Sequence, residues 1–328
     1  MAPTGFNQTV GHDGGLYMLY DILYYVVFVL VALGVPGNIL AILVASMSHN
    51  RKHTASVYMV GLAVPDAVIL IQEGIQGPMW RDEEASIWPS RELEFKFVYF
   101  LMYACAMTSG LILAFMSVDR FIAIRYPIAA KRICTVTRAK VIVISTAVTV
   151  ITANVFTFFV HTYIKDEASG IESLILSVPG HHEYEVLFSN FQMLFGSLIP
   201  SVVIMGSNIG IIVTVRQASS KRAQMRVAQG QKRGKHESQL TSMLVIVSMA
   251  YFITTLPYRI FYAAFEVPDA ASEANDADSN LLFVVLEYLF YDIWLCNHVV
   301  NFYLYCLAGG MRYREDTRKI VRTCFCCD

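Results

Sequence analysis

Long apolar stretches alternate with short polar ones along the whole chain. Seven stand out, at residues 20–46, 56–79, 94–125, 139–162, 186–216, 237–265 and 282–307. A helix of about 20 apolar residues crosses the hydrocarbon of a bilayer, so each stretch is long enough, and the longer ones must tilt or protrude. Helices are the form this pattern predicts, because inside a bilayer every backbone N–H and C=O must be satisfied without water. Composition agrees: 55% of the 328 residues are hydrophobic, and the mean hydropathy is +0.49. A soluble domain could not cover so much apolar surface.

The formal net charge of -1 hides an asymmetry. Arg51 and Lys52 follow the first stretch. Arg125, Lys131, Arg132, Arg138 and Lys140 surround the segment after the third, and Arg216, Lys221, Arg222, Arg226, Lys232, Arg233 and Lys235 fill the one after the fifth. Arg312, Arg314, Arg318, Lys319 and Arg322 follow the seventh. With seven crossings, all of these lie on one side. The other side collects Asp82, Glu83, Glu84, Glu92, Asp166, Glu167, Glu172, Asp269, Glu273, Asp276 and Asp278. Cytoplasmic loops carry the excess of Lys and Arg, so the N-terminus is expected outside and the C-terminus inside. An even number of spans would scatter the basic segments over both faces.

The expected architecture is an all-α membrane protein. An extracellular tail (1–19) precedes a seven-transmembrane helix bundle (20–307), and a short amphipathic cytoplasmic helix with a Cys-rich tail (308–328) ends the chain. Residues 1–19 lack a basic segment followed by an apolar run, so the first span is expected to serve as its own insertion signal. Asn7-Gln8-Thr9 is an N-glycosylation sequon on the predicted outer side. Cys105, Cys296 and Cys306 fall in spans, Cys134 in an inner loop, and Cys324, Cys326 and Cys327 in the tail. No outer disulfide is therefore expected. The terminal cysteines beside basic residues suggest S-acylation; plain thiols are the alternative.

Motifs sit in order in the spans. They are Gly37-Asn38, Leu62-Ala63-Val64-Pro65-Asp66, Asp119-Arg120-Phe121, Pro200, Pro257 within Thr254-Thr255-Leu256-Pro257-Tyr258, and Asn301-Phe302-Tyr303-Leu304-Tyr305. Together they resemble the rhodopsin-like (class A) family of G-protein-coupled receptors over nearly the whole chain. The basic inner loops and the NFxxY variant look most like its neuropeptide receptors and invertebrate orphan relatives. There are departures. Ser145 stands near the usual Trp of the fourth helix, Thr255 stands for the toggle Trp of the sixth, and Asn208 for a Tyr of the fifth. Phe302 stands for the Pro of NPxxY, and the cysteine atop the third helix is replaced near Phe95. These put the standard toggle and the outer disulfide in doubt.

The resemblance implies site residues. Asp66 matches the acid that binds an allosteric sodium ion, with Ser109, Asn297 and Asn301 at the other ligand places. The alternative is a protonated acid in a structural hydrogen-bond network. Arg120 can pair with Asp119 or reach Glu237, the place of the family's ionic lock. Pro257 matches the hinge of the sixth helix, and Tyr305 the tyrosine that holds the open state. Two physical arguments stand beside these. A charge at mid-bilayer costs about 2.5–3.5 kcal/mol on insertion scales, so such groups face the bundle interior. Proline removes a helix hydrogen bond, so Pro200 and Pro257 invite kinks.

Helical spacing suggests a ligand pocket from Gln76, Met102, Tyr103, Gln192, Tyr258, Arg259, Tyr262, Glu287 and Tyr291, a mix of aromatic bulk and a few polar groups. Arg259, two residues past Pro257, must snorkel or meet an acid. Either it binds a ligand's carboxylate or carbonyl, or Glu287, Asp292 or Glu73 neutralises it internally.

Met102 in place of an acid disfavours an amine ligand, and 282–307 contains no Lys for a retinal Schiff base. The expected function is a plasma-membrane receptor transmitting an extracellular ligand, a neuropeptide, to a heterotrimeric G protein. Arrestin and membrane lipids are further expected partners. A lipid or other small-molecule receptor of the same fold is the alternative. A transporter or channel is the alternative of another class, though no internal pseudo-symmetry supports it. No metal cluster, nucleophile motif or phosphate loop supports an enzyme. His161, His181 and His182, in or near the second outer loop, read as solvated histidines, with an extracellular zinc site as the alternative.

Overall fold

The computed structural model describes residues 14–81, 90–165, 172–176, 187–188, 190–224, 246–261, 277–308 and 310–325. Among them seven principal helices follow the predicted order: α1 (Gly14–Ser46), α2 (Thr54–Arg81), α3 (Arg91–Arg125), α4 (Val136–Asn154), α5 (190–224), α6 (described over 246–261) and α7 (Ala277–Ala308). Six of the helices are long and apolar enough to cross a membrane, and Ile246–Phe261 of α6 is a shorter apolar helix. Asn7, Glu237, Tyr262, His181, His182, Cys326 and Cys327 lie outside the described residues.

Local chemistry sets the helix ends. Ser90 caps α3 by accepting from the Leu93 N–H at 3.2 Å, and Thr135 caps α4 by accepting from Arg138 N–H at 3.3 Å. A two-turn helix, Pro127–Ile133, bridges α3 and α4, with proline at its start, where a missing N–H costs nothing. Several boundaries differ from the sequence reading: α5 runs on to Gln224 rather than 216, and α7 begins at Ala277 rather than 282. α1 begins at Gly14 rather than 20. α4 stops at Asn154 rather than running to 162. Asn154 bonds back to the Val150 carbonyl, and its own carbonyl accepts from the Thr157 hydroxyl, which turns the chain. One helical turn follows at Thr157–Val160. Then comes a two-stranded antiparallel ribbon that periodicity did not foresee. β1 (His161–Lys165) pairs with β2 (Glu172–Leu176), with His161 opposite Leu176 and Lys165 opposite Glu172.

α3 is the central post, packed against α2, α4 and α5, while α1 lies along α2 and α7. Outward faces carry apolar residues at helical spacing, as on α4 (Val141, Ile144, Val148, Ile151) and α5 (Val202, Met205, Ile209, Val213). Lipid tails are as apolar as these side chains, so association between helices rests on close packing and interhelical hydrogen bonds. Gly34 shows the packing. A Cβ there would lie 2.5 Å from Leu70 Cδ1 and 2.9 Å from Val299 Cγ2, so only glycine lets α1 come this close to α2 and α7. Asn38, one turn on, donates to the Gly34 carbonyl at 3.0 Å and across to the His298 carbonyl of α7 at 2.9 Å.

After α7, α8 (Gly310–Phe325) is amphipathic, as expected. Tyr313, Asp316, Thr317 and Ile320 form its inward face, while Arg314, Glu315, Arg318, Lys319 and Arg322 are exposed. Asp316 is buried and accepts from His49 Nε2 at 2.8 Å and Asn50 Nδ2 at 3.1 Å, which ties α8 to the turn between α1 and α2.

Gly34→Val should lower the unfolding temperature of the purified protein by about 2–10 °C, since overpacking costs about 1–3 kcal/mol. Gly206→Ala, which faces open space, should leave it unchanged; the comparison is made by thermal unfolding in detergent.

Candidate functional site

A carboxylate lies at the centre of the bundle. Asp66 of α2 is fully buried, and its oxygens are covered by three donors from two other helices. The Ser109 hydroxyl of α3 donates to Oδ1 at 2.8 Å, His298 Nδ1 of α7 to Oδ1 at 2.7 Å, and Asn301 Nδ2 of α7 to Oδ2 at 2.8 Å. Charge-assisted hydrogen bonds to a buried carboxylate are the strong kind. His298 was missed in the sequence. Its signal was its spacing: three residues before Asn301, it shares the inner face of α7.

The expected sodium ligands can be tested against this geometry. Ser109 and Asn301 do converge on Asp66, but as donors through O–H and N–H. Asn297 is buried and makes no hydrogen bond to Asp66 among the described residues. A hard cation requires several oxygen ligands. Here Asn301 turns its amide N–H to Oδ2, and Oδ1 is taken beside Ser109 by an imidazole that sequence reasoning left out. In this arrangement the set does not fit a resident sodium ion, and Asp66 is held by a hydrogen-bond network.

Toward the outer end, Trp294 is buried and meets His298 edge-on at 4.8 Å between ring centroids. Trp294 in turn packs on Tyr258 of α6 at 5.8 Å and Tyr291 at 5.3 Å, and these two tyrosines meet at 5.6 Å. Tyr291's hydroxyl lies 3.9 Å from Met102 Sδ on α3. Met102, Tyr258 and Tyr291 of the expected pocket are thus brought together. Tyr103 stands farther round, edge-on to Phe188 at 5.2 Å.

Other expected pocket residues are engaged elsewhere. Gln192 is buried and donates to Asn154 Oδ1, joining α5 to α4. Gln76 donates to Glu94 Oε1 at 3.3 Å, joining α2 to a fully buried acid at the top of α3. Arg259 is half-buried with its Nε shielded from solvent, and no ion pair joins it to Glu287, Asp292 or Glu73 among the described residues.

Between these layers, one proline reorganises three helices. Pro200 has no N–H to give the carbonyl four residues earlier, that of Gly196, and the preceding turn widens to a π-helix at Leu194–Leu198. The freed Gly196 carbonyl accepts from the Tyr251 hydroxyl of α6 at 3.3 Å. Gly110 of α3 makes room: a Cβ there would lie 2.9 Å from that hydroxyl and 3.1 Å from the carbonyl. Thr255, at the toggle position one turn further along α6, is buried without a hydrogen-bond partner for its hydroxyl.

At the inner end, Arg120 Nη2 lies 3.4 Å from Asp119 Oδ2 and donates to Thr54 Oγ1 at 2.7 Å; the Thr54 hydroxyl donates to Asp119 Oδ2 at 2.9 Å. Thr54, the first residue of α2, closes a triangle that sequence spacing could not show. Phe121 packs on α5, where a Cβ on Gly210 would come within 2.5 Å of its ring. In the connection to α4, the Cys134 thiol donates to the Asp119 carbonyl at 3.5 Å. Partial burial, and then the charge of Asp119, push that thiol up to about 11, so it stays protonated at neutral pH. Tyr305 lies in the last turns of α7 and Cys324 near the end of α8.

A multi-pass helical bundle with an aromatic layer outside, a polar node at mid-depth and an Arg–Asp pair inside has the form of a receptor. The model of the family "7 transmembrane receptor (rhodopsin family)" matches residues 37–305, and the chain belongs to that family of G-protein-coupled receptors. It is 25% identical to somatostatin receptor type 1 of Rattus norvegicus over 285 residues, 86% of this chain and 68% of that protein. It is 25% identical to cysteinyl leukotriene receptor 1 of Sus scrofa over 255 residues, 77% of this chain and 70% of that one. It is 30% identical to the thyrotropin-releasing hormone receptor of Homo sapiens over 128 residues, 39% of this chain and 31% of that receptor. The family is one of receptors, not enzymes.

Tyr251→Phe removes one buried interhelical bond, worth about 0.6 kcal/mol on average in a membrane bundle, and should lower the unfolding temperature by about 1–2 °C. Gly110→Ala, which sets a methyl into the same gap, should lower it further; both are read by thermal unfolding.

Proposed function

We propose that this chain is a plasma-membrane receptor, N-terminus outside and C-terminus inside, that carries the binding of an extracellular peptide to a heterotrimeric G protein. The observation that carries the ligand reading is Arg259. A guanidinium within a span must find a counter-charge or acceptor, and the acids that sequence spacing offered it do not pair with it. A carboxylate or backbone carbonyl of the ligand meets that need. The adjoining Tyr258, Tyr291 and Met102 supply apolar area around one cationic anchor, which suits a peptide end. Somatostatin and thyrotropin-releasing hormone in the names of two relatives favour a peptide. Cysteinyl leukotriene in the name of a third keeps a carboxylate-bearing lipid as the second reading, since Arg259 suits its charge equally.

Signalling is read at the inner end. The Asp119–Arg120–Thr54 triangle holds Arg120 against the base of α2, where it is withheld from a helix inserted by the G protein into the cytoplasmic groove. Ligand binding favours the state in which this triangle opens, and only differential affinity for the two states can do so. Glu237 is proposed as a second partner of Arg120 across the base of α6, with Pro257 as the hinge and Tyr305 as the residue that holds the open state. Asn7 glycosylation, acylation of Cys324, Cys326 and Cys327, and arrestin binding belong to the same reading.

The test is a panel of neuropeptides and carboxylate-bearing lipids on cells carrying reporters for each G-protein class. A peptide hit is expected, with Arg259→Ala weakening its potency about tenfold or more, as loss of a hydrogen bond to a charged group predicts, at unchanged surface expression. Silence of every reporter, or an Arg259→Ala receptor as sensitive as the parent, would reject the reading. A hit among the lipids alone selects the second one. Thr54→Ala and Glu237→Ala should each raise ligand-free nucleotide exchange by a reconstituted G protein severalfold; equal basal exchange in both variants argues against the lock.

A further inference from the structure

We propose that the His298 side chain occupies the place of a cation at Asp66, so that this receptor's central acid is closed by the protein itself and does not take up sodium. The geometry is specific. The ring nitrogen Nδ1 lies 2.7 Å from Asp66 Oδ1, the same oxygen that takes the Ser109 hydroxyl at 2.8 Å. Asn301 covers the other oxygen at 2.8 Å. Facing a carboxylate that takes two other donors, Nδ1 carries the hydrogen. Nε2 is buried with no hydrogen-bond partner. The ring is therefore positioned by Asp66 and by packing, and not by a bond at its far side.

Three further contacts fix it. Trp294, one turn earlier on α7, meets the ring edge-on at 4.8 Å. The His298 backbone carbonyl accepts from Asn38 of α1 at 2.9 Å. Val299, the next residue, packs with Ile69 and Leu70 of α2. His298 is only 1% exposed and Asp66 is fully buried, so the ring cannot swing into water without separating α7 from α2. A sodium ion at Asp66 would have to displace an imidazole held from several sides, and would recover few oxygen ligands in exchange. The link between α2 and α7 is thus a permanent part of this chain and independent of extracellular salt.

The inference needs neither ligand nor G protein to be tested, so its failure is distinguishable from failure of the proposed function. Thermal unfolding of the purified full chain is followed by tryptophan fluorescence in sodium chloride and in choline chloride at equal ionic strength. The parent protein should unfold at the same temperature in both. His298→Ala should unfold several degrees lower in choline, and should recover part of that loss in sodium, because the carboxylate and Ser109 Oγ are then open to the ion. His298→Asn, which keeps a small amide donor, serves if the alanine variant fails to fold, and the same sodium-specific recovery is expected of it. Asp66→Asn, made on top of either variant, should abolish the recovery. A sodium-dependent rise in the parent that Asp66→Asn removes overturns the proposal. So does indifference to sodium in both His298 variants, since the ring would then not be what excludes the ion.

Discussion

Hydrocarbon offers no partner to a carboxylate, and Asp66 must therefore be answered from within the bundle. The answer comes from Ser109, His298 and Asn301, and it joins three helices at one point. Asn38 brings in a fourth through the His298 carbonyl. Single interhelical hydrogen bonds in membranes average about 0.6 kcal/mol. Removing one partner of a buried charge costs about 3–5 kcal/mol, because the other is left uncompensated. The Asp66 node is worth more than the sum of its bonds for that reason, and the glycine at 34 serves it by letting α1 reach α2 and α7 closely enough.

The helices are not held alike. α1, α2, α3 and α7 share the charged node, while α6 reaches α5 through a neutral bond from Tyr251 to the carbonyl freed by Pro200. A neutral bond of this kind can be exchanged at small cost, and a two-state element needs only a few kcal/mol between its arrangements. α6 is also where the aromatic layer begins, at Tyr258, so a group docking beside Arg259 touches the helix with the weaker tether. The inner triangle of Asp119, Arg120 and Thr54 belongs to α2 and α3, the fixed side.

Much of this frame was legible in the sequence. Seven apolar stretches and the order of short motifs announced the bundle and placed Asp66 on α2 and Arg120 on α3. Interactions that depend on rotation about a helix axis were not legible. His298 and Trp294 read as ordinary members of an apolar stretch until α7 turned them toward Asp66. Thr54 gave no signal because its partner lies 65 residues away on another helix. Gln192 and Gln76 were credited to a pocket because polar residues in spans suggest function, yet each answers a neighbouring helix, Asn154 in one case and Glu94 in the other. The ribbon overlaps the stretch read as the fourth span only at His161 and Thr162; the rest of β1 and all of β2 lie beyond it, where periodicity gave no signal.

The departures from the family's motifs are coupled to one another. Where a tryptophan is missing from α6, Thr255 leaves that turn small, and the bulky indole comes from α7 as Trp294. Where a proline is missing from α7, Phe302 keeps its N–H and packs against Ala41 and Ala63, so the helix runs unbroken from Ala277 to Ala308. A continuous α7 is what can hold Trp294, His298 and Asn301 in fixed register over Asp66, since a proline at 302 would loosen the turn that carries two of them. Each substitution alone looks like the loss of a working part. Taken together they place the bulk of Trp294, an unbroken helix and two of the three donors to Asp66 on α7.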